Sequence, residues 1–197
     1  MDVTTQAVLY AGPPTLAEAI DAAALLNTAL GDGFTADVLR TMRSEDSILV
    51  RAESDGVLLG AATAHILDDA AKARLAARLR TANYPETDLA GLRVGELKAS
   101  AVAPGARRRG IGTALVEARM DFLRGAGCSI VTVASWISTD PRSSSLGLLA
   151  RHGFEPIVRI RGYWSKGSFT EYPCPDCGLA CLCSAMIMVK DLRQQQG

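Results

Sequence analysis

Apolar positions recur along this chain in two rhythms, strict alternation and a three-to-four-residue spacing, and these mark strands and helices respectively. The first apolar run, Ala7-Val8-Leu9-Tyr10, predicts a short strand that Gly12-Pro13-Pro14 stops. Thr15 with Glu18 three residues later has the form of a capping box and opens a helix to about Leu30. Its apolar face is read as Leu16, Ile20, Ala23 and Ala24. A short second helix is expected from Ala36 to Met42, capped by Thr35. Ser47 to Ala52 and Val57 to Ile66 predict a hairpin turned at Asp55-Gly56, with Gly60 marking a bulge. Asp69 to about Arg80 predicts a helix that Asn83-Tyr84-Pro85 breaks.

The second half repeats the alternation of strand and helix. Val94 to Val102 reads as a strand ended by Pro104-Gly105. A helix follows from near Arg109 to about Leu123, with a stripe of Ile111, Ala114, Leu115, Ala118 and Phe122. Gly125 and Gly127 supply its stop. Ser129 to Ala134 is nearly all apolar and predicts a central strand. Ser143 to Arg151 predicts a short helix, Phe154 to Ile160 a strand, and Ser184 to Val189 the last strand. This order, with a central strand-to-helix crossover, predicts an α/β or α+β sheet domain. One domain is expected over residues 1–197, with a helical insertion at 68–91 and a Cys-rich loop at 161–183.

Composition narrows the function classes. The chain has 197 residues, 48% of them hydrophobic and 21% charged, which excludes intrinsic disorder as the expected class. Lys plus Arg and Asp plus Glu are equal at 21, so the formal net charge is zero and a general electrostatic nucleic-acid binder is not expected. No apolar stretch reaches the roughly 18 residues of a membrane span. The start, Met1-Asp2-Val3-Thr4-Thr5-Gln6, lacks a basic region and an apolar core, so a cytoplasmic location without a membrane partner is expected. In that compartment five Cys read as thiols or metal ligands, and Cys128 reads as a small core residue.

The most informative stretch runs from Val102 to Ala114. A strand ends there, three Arg and two close Gly follow, and an amphipathic helix begins. Unpaired amides and the helix dipole favour an anion at such a terminus. Gly110 and Gly112 let a phosphate approach the backbone. The third Gly of a dinucleotide fingerprint and the Gly-Lys-Ser/Thr of a P-loop are both missing. Arg107-x-x-Gly110-x-Gly112 instead resembles the Arg/Gln-x-x-Gly-x-Gly/Ala motif of the GCN5-related N-acetyltransferases (GNAT), with Val102 and Pro104 in that family's flanking positions. His152-Gly153-Phe154-Glu155 is similar to the Gly-Phe-Glu that closes the family's fourth helix.

The resemblance implies a mixed, mostly antiparallel sheet flanked by helices, with a central βα unit that binds acetyl-CoA. Main-chain groups at Ala101 and Val102 would pair with the pantetheine arm and stabilise the developing oxyanion. Amides from Arg108, Arg109, Gly110, Ile111, Gly112 and Thr113 would hold the pyrophosphate, and Arg107 with its neighbours would add charge. Glu96, six residues before Val102, occupies the position of a general base that takes the ammonium proton. The alternative for Glu96 is an ion pair with Lys98 on the same strand face. The family's usual acid, a Tyr in the fourth helix, is Leu149 here, and its usual Asn is Arg142. Tyr163 and Tyr172 are the remaining acid candidates.

The last signal is Cys174-x-x-Cys177-x-x-x-Cys181-x-Cys183. Cys174 and Cys177 bracket Pro175-Asp176 on a turn, much like a zinc knuckle, and Cys181 and Cys183 fall on one side of an extended segment. Four thiolates satisfy a closed tetrahedral Zn²⁺ site, a structural ion. Two disulfides or four free thiols are the alternatives. The expected function is acetyl-CoA-dependent acetylation of a small-molecule amine. A protein acetyltransferase and a non-catalytic acyl-CoA-binding or metal-sensing module are the competing readings, and a homodimer stays open.

Overall fold

The computed structural model describes residues 7–83, 89–137, 145–165, 174–178 and 181–193. The elements run β1 (Val8–Tyr10), α1 (Leu16–Leu30), α2 (Phe34–Thr41), β2 (Ser47–Ser54), β3 (Val57–Ile66), α3 (Asp69–Thr81), β4 (Val94–Val102), α4 (Ile111–Gly125), β5 (Ile130–Ile137), α5 (Leu146–Arg151), β6 (Glu155–Arg161) and β7 (Ser184–Asp191). The hydrogen-bonded strand order is β1-β2-β3-β4-β5-β7-β6. β4 and β5 are parallel, while β1–β2, β5–β7 and β6–β7 are antiparallel. The fold is therefore a mixed α/β one with a mostly antiparallel sheet and flanking helices. Two compact units divide the chain, Met1–Ala64 with Lys98–Phe122 and His65–Leu97 with Leu123–Gly197.

In the first unit the capping box forms as expected: the Thr15 hydroxyl accepts from the Glu18 amide, and Glu18 accepts from the Thr15 amide at 2.6 Å. The apolar face of α1 differs from the expectation. Ala19, Ala22, Ala23 and Leu26 are buried against Leu49, Ala61, Ala99 and Ala101, whereas Leu16 and Ile20 are more than half exposed. Small side chains on both surfaces let helix and strands approach closely, so Ala rather than the larger residues faces inward. Thr35 does not cap α2. Gly33, at φ +110°, precedes the helix, and Asn27 of α1 accepts the Phe34 amide at 2.9 Å.

Asp55 and Gly56 both have positive φ (51° and 75°), the backbone of a type I′ turn, so the β2–β3 hairpin forms where predicted. Alternate residues of these strands point to opposite faces. Leu49 and Ala61 join α1, while Val50, Ala52 and Ala62 pack with Ala106, Ile111 and Leu115. Gly60 explains how α4 reaches the sheet: a Cβ there would lie 3.0 Å from Ile111 Cγ2 and 3.3 Å from the Ala101 carbonyl oxygen.

In the second unit α3 packs Leu75, Ala76 and Leu79 against Val94, Ile130, Ala185, Ile187 and Val189. Asp68 caps this helix by accepting the Ala71 amide at 2.7 Å. β7, last in sequence, lies between β5 and β6. Gly153 ends α5 at φ +78°, and the buried Lys190 donates to the His152 carbonyl beside it at 2.5 Å. Tyr84 and Pro85, which were expected to break α3, lie outside the described residues, and Asn83 before them is left-handed at φ +52°.

Candidate active site

The loop between β4 and α4 lies within the first unit. Ala103 donates to the Leu59 carbonyl at 2.9 Å, and Pro104–Ala106 then makes one 3₁₀ turn with Ala106 buried beneath it. Arg108 (φ 64°) and Gly110 (φ 82°) are both left-handed, turning the chain sharply into the helix. The first turn of α4 closes from the Ala114 amide to the Gly110 carbonyl at 3.1 Å. The amides of Ile111, Gly112 and Thr113 thus precede the helix's own ladder and carry its positive dipole end. A Cβ on Gly110 would meet nothing within 4 Å, so the loop has open space at that position. Arg107, Arg108 and Arg109 are exposed around it, and Arg107 Nε donates back to the Val102 carbonyl at 3.2 Å. Fixed amides, an open glycine and three guanidiniums are groups that could hold a polyanion.

Burial along β4 alternates as period two requires. Leu97, Ala99 and Ala101 are buried, Glu96, Lys98 and Val102 are half-buried, and Ser100 is exposed. Glu96 pairs in register with Thr132 of β5.

A feature that hydrophobic patterning missed lies in α4. Arg119 is 3% exposed, and its guanidinium donates to the carbonyls of Leu115 (2.9 Å), Ala99 (3.2 Å) and Thr63 (3.3 Å). Burial pushes its pKa down to about 9, so it remains charged at neutral pH. The buried face of α4 is accordingly Ile111, Leu115, Val116, Arg119, Met120 and Leu123, turned away from the expected stripe through Ala114, Ala118 and Phe122. Arg119 stands four residues after Leu115, a spacing that the sequence displayed.

In the second unit the Sγ atoms of Cys174, Cys177, Cys181 and Cys183 all lie within 4.8 Å of one another. Cys174 and Gly178 exchange two backbone hydrogen bonds of 2.9 Å, closing the turn that carries Cys177. Burial pushes the Cys177 thiol up, but the Leu182 amide and the thiols of Cys174, Cys183 and Cys181 together hold it lower, at about 7. Burial raises Cys181 to about 11 and raises Cys183 as well, the latter against a hydrogen bond from Trp136. Tyr163 accepts a hydrogen bond from Arg78 at 2.7 Å, under a guanidinium 4.7 Å from its ring centre. Leu149 is 3% exposed in the core, and Tyr172 and Arg142 lie outside the described residues.

The model of the acetyltransferase (GNAT) family matches residues 22–154, which include β4, the polyanion loop and α4. The chain belongs to the acetyltransferase (GNAT) family. Among solved structures it is similar to the ribosomal-protein-S18-alanine N-acetyltransferase of Escherichia coli, at 14% identity and a TM-score of 0.61, over 94% of each chain. An IAA acetyltransferase from Bacillus cereus shares 18% identity with a TM-score of 0.59, over 94% of this chain and 99% of that one. A GNAT family acetyltransferase from Elizabethkingia anophelis with acetyl-CoA bound shares 14% identity with a TM-score of 0.60, over 95% and 99%. A search of curated proteins finds no match.

As a GNAT acetyltransferase, the protein uses acetyl-CoA as its acyl donor and is an N-acetyltransferase. Leu149, which the sequence resemblance sets at the place of the family's helix acid, is a packed core side chain. Among the described residues no helix is long and apolar enough to cross a membrane.

Proposed function

We propose that the protein transfers the acetyl group of acetyl-CoA to the amine of a small molecule. The observation that carries the donor half is the Arg107–Thr113 loop, where consecutive amides, an open Gly110 and three exposed Arg suit a pyrophosphate. Main-chain groups at Ala101 and Val102 take the pantetheine arm and the oxyanion. Glu96, half-buried on the strand face it shares with Val102, draws the proton from the ammonium so that the amine can attack. The thiolate leaves without a helix-borne acid, or takes its proton from Tyr163 or Tyr172. The sulfurs of Cys174, Cys177, Cys181 and Cys183 lie within 4.8 Å of one another. These thiolates hold one structural zinc. The five cysteines, none of them in a disulfide, fit a cytoplasmic protein.

The test is CoA release from acetyl-CoA with a panel of small amines beside Lys-bearing and N-terminal peptides. Release with small amines is the expected result. Release with peptides alone would hand the acceptor to the protein-acetylation reading.

The donor loop carries its own prediction. Gly110→Val places a Cβ at φ +82° in the open face of the loop. Acetyl-CoA affinity is expected to fall about tenfold or more, about 1.4 kcal/mol. Gly91→Val is the control, because Gly91 has a similar φ of +73° and open space outside the loop. Calorimetry should show weakened acetyl-CoA binding in the first variant and near-normal binding in the second. Equal affinity in both would remove the loop from the donor site.

A further inference from the structure

We propose that Cys174, Cys177, Cys181 and Cys183 bind one Zn²⁺ in a closed four-thiolate site that fastens the start of β7 to the turn before it. The distances are those of a single ion. Sulfurs at the usual Zn–S length of about 2.3 Å stand about 3.8 Å apart at the corners of a tetrahedron. Here Cys174–Cys183 is 3.8 Å and Cys177–Cys183 is 3.6 Å, and no pair of the four exceeds 4.8 Å. Thiolates of an iron–sulfur cluster sit on different irons and need wider separation. Oxygen-seeking cations such as Mg²⁺ and Ca²⁺ have no carboxylate in this group, and a tetrahedral all-sulfur set suits zinc.

A backbone donor faces one of the sulfurs: the Leu182 amide donates to Cys177 Sγ at 3.3 Å. Such outer hydrogen bonds fix the orientation of ligands and offset the excess negative charge that four thiolates place on a dication. Alternation separates the two roles of the short segment: Cys181 and Cys183 are 5% and 4% exposed, while Leu182 between them is 82% exposed. Ser184, the residue after Cys183, pairs with Ile137 in the β5–β7 ladder, so the site adjoins the sheet. The ion then has no open position for a substrate, and its work is to hold chain in place.

Protein purified without chelator should contain about one zinc per chain by elemental analysis. Replacement by Co²⁺ should give the strong charge-transfer and visible bands of tetrahedral cobalt bound by thiolates. Cys177→Ser should lose the metal through gel filtration, whereas Cys128→Ala, at the fifth cysteine, should keep it. Acetyl-CoA affinity measured on the Cys177→Ser sample reports whether that variant is folded; if it is not, the cobalt spectrum of the unaltered chain decides. Four free thiols without metal, two disulfides by mass spectrometry, stoichiometric iron, or a folded Cys177→Ser that retains one zinc would each overturn the proposal.

Discussion

Glu96→Gln is expected to lower turnover about 10²-fold while acetyl-CoA affinity holds. The amide keeps the shape of the carboxylate and the packing of β4 but cannot accept the ammonium proton. A hundredfold loss corresponds to about 2.7 kcal/mol of barrier. An ion pair between the half-buried Glu96 and Lys98, the competing role, contributes on the order of 1 kcal/mol to stability and nothing to a proton transfer. The two roles are therefore separated by size and by kind. Steady-state rates across pH, with CoA release as the signal, make the measurement. Near-normal turnover at every pH would return Glu96 to the role of a partner of Lys98.

Arg119→Ala is expected to destabilise the fold by about 2–4 kcal/mol, because it strands buried carbonyls and opens a cavity. The carbonyls of Thr63 on β3, Ala99 on β4 and Leu115 on α4 all lose a charged donor. For a chain of this size each kcal/mol moves Tm by about 2–4 °C, so a fall of about 4–16 °C should appear on a thermal scan. Arg119→Lys should recover only part of it, since one ammonium cannot reproduce the planar fork. The pH dependence has a definite sign. Folding lowers the pKa, so the folded state gives up its proton first, and stability gains from this group only as pH rises above about 9. At neutral pH the full cost of burying the charge is present and the three hydrogen bonds offset it. A variant within about 0.5 kcal/mol of the parent would show that the fork carries no weight.

Features written in local chemistry were legible before the structure. The Thr15–Glu18 box, the Asp55-Gly56 turn, the loop from Arg107 to Gly112 and the four-cysteine spacing each need only a few neighbouring residues to declare themselves. The faces of α1 and α4 were not legible, for opposite reasons. On α1 a hydrophobic reading ranks Leu16 and Ile20 above Ala19 and Ala22, yet the face packed with Ala61, Ala99 and Ala101 is Ala19, Ala22, Ala23 and Leu26. On α4 the same reading skips Arg119 because it is charged: Ile111 and Leu115 of the stripe are buried as drawn, but Ala114, Ala118 and Phe122 are only half-buried, and Val116, Arg119, Met120 and Leu123 complete the face. The place of β7 between β5 and β6 depends on tertiary pairing that no local pattern encodes.

That strand placement bears on how the molecule is made. A ribosome delivers β5 and β6 before β7, yet β6 finds its partner only in β7, and β5, already beside β4, finds its second partner there, over Ile130–Ile137 against Ser184–Asp191. Until residue 191 has left the exit tunnel, β6 has no neighbour and one side of β5 stays open, a template for pairing with other chains. The cysteines are delivered in the same order, the Cys174–Cys177 turn first and Cys181 with Cys183 immediately before the closing strand. Completion of the sheet thus waits for β7. A message truncated before Ser184 yields a nascent chain with two adhesive edges rather than a slightly shorter enzyme.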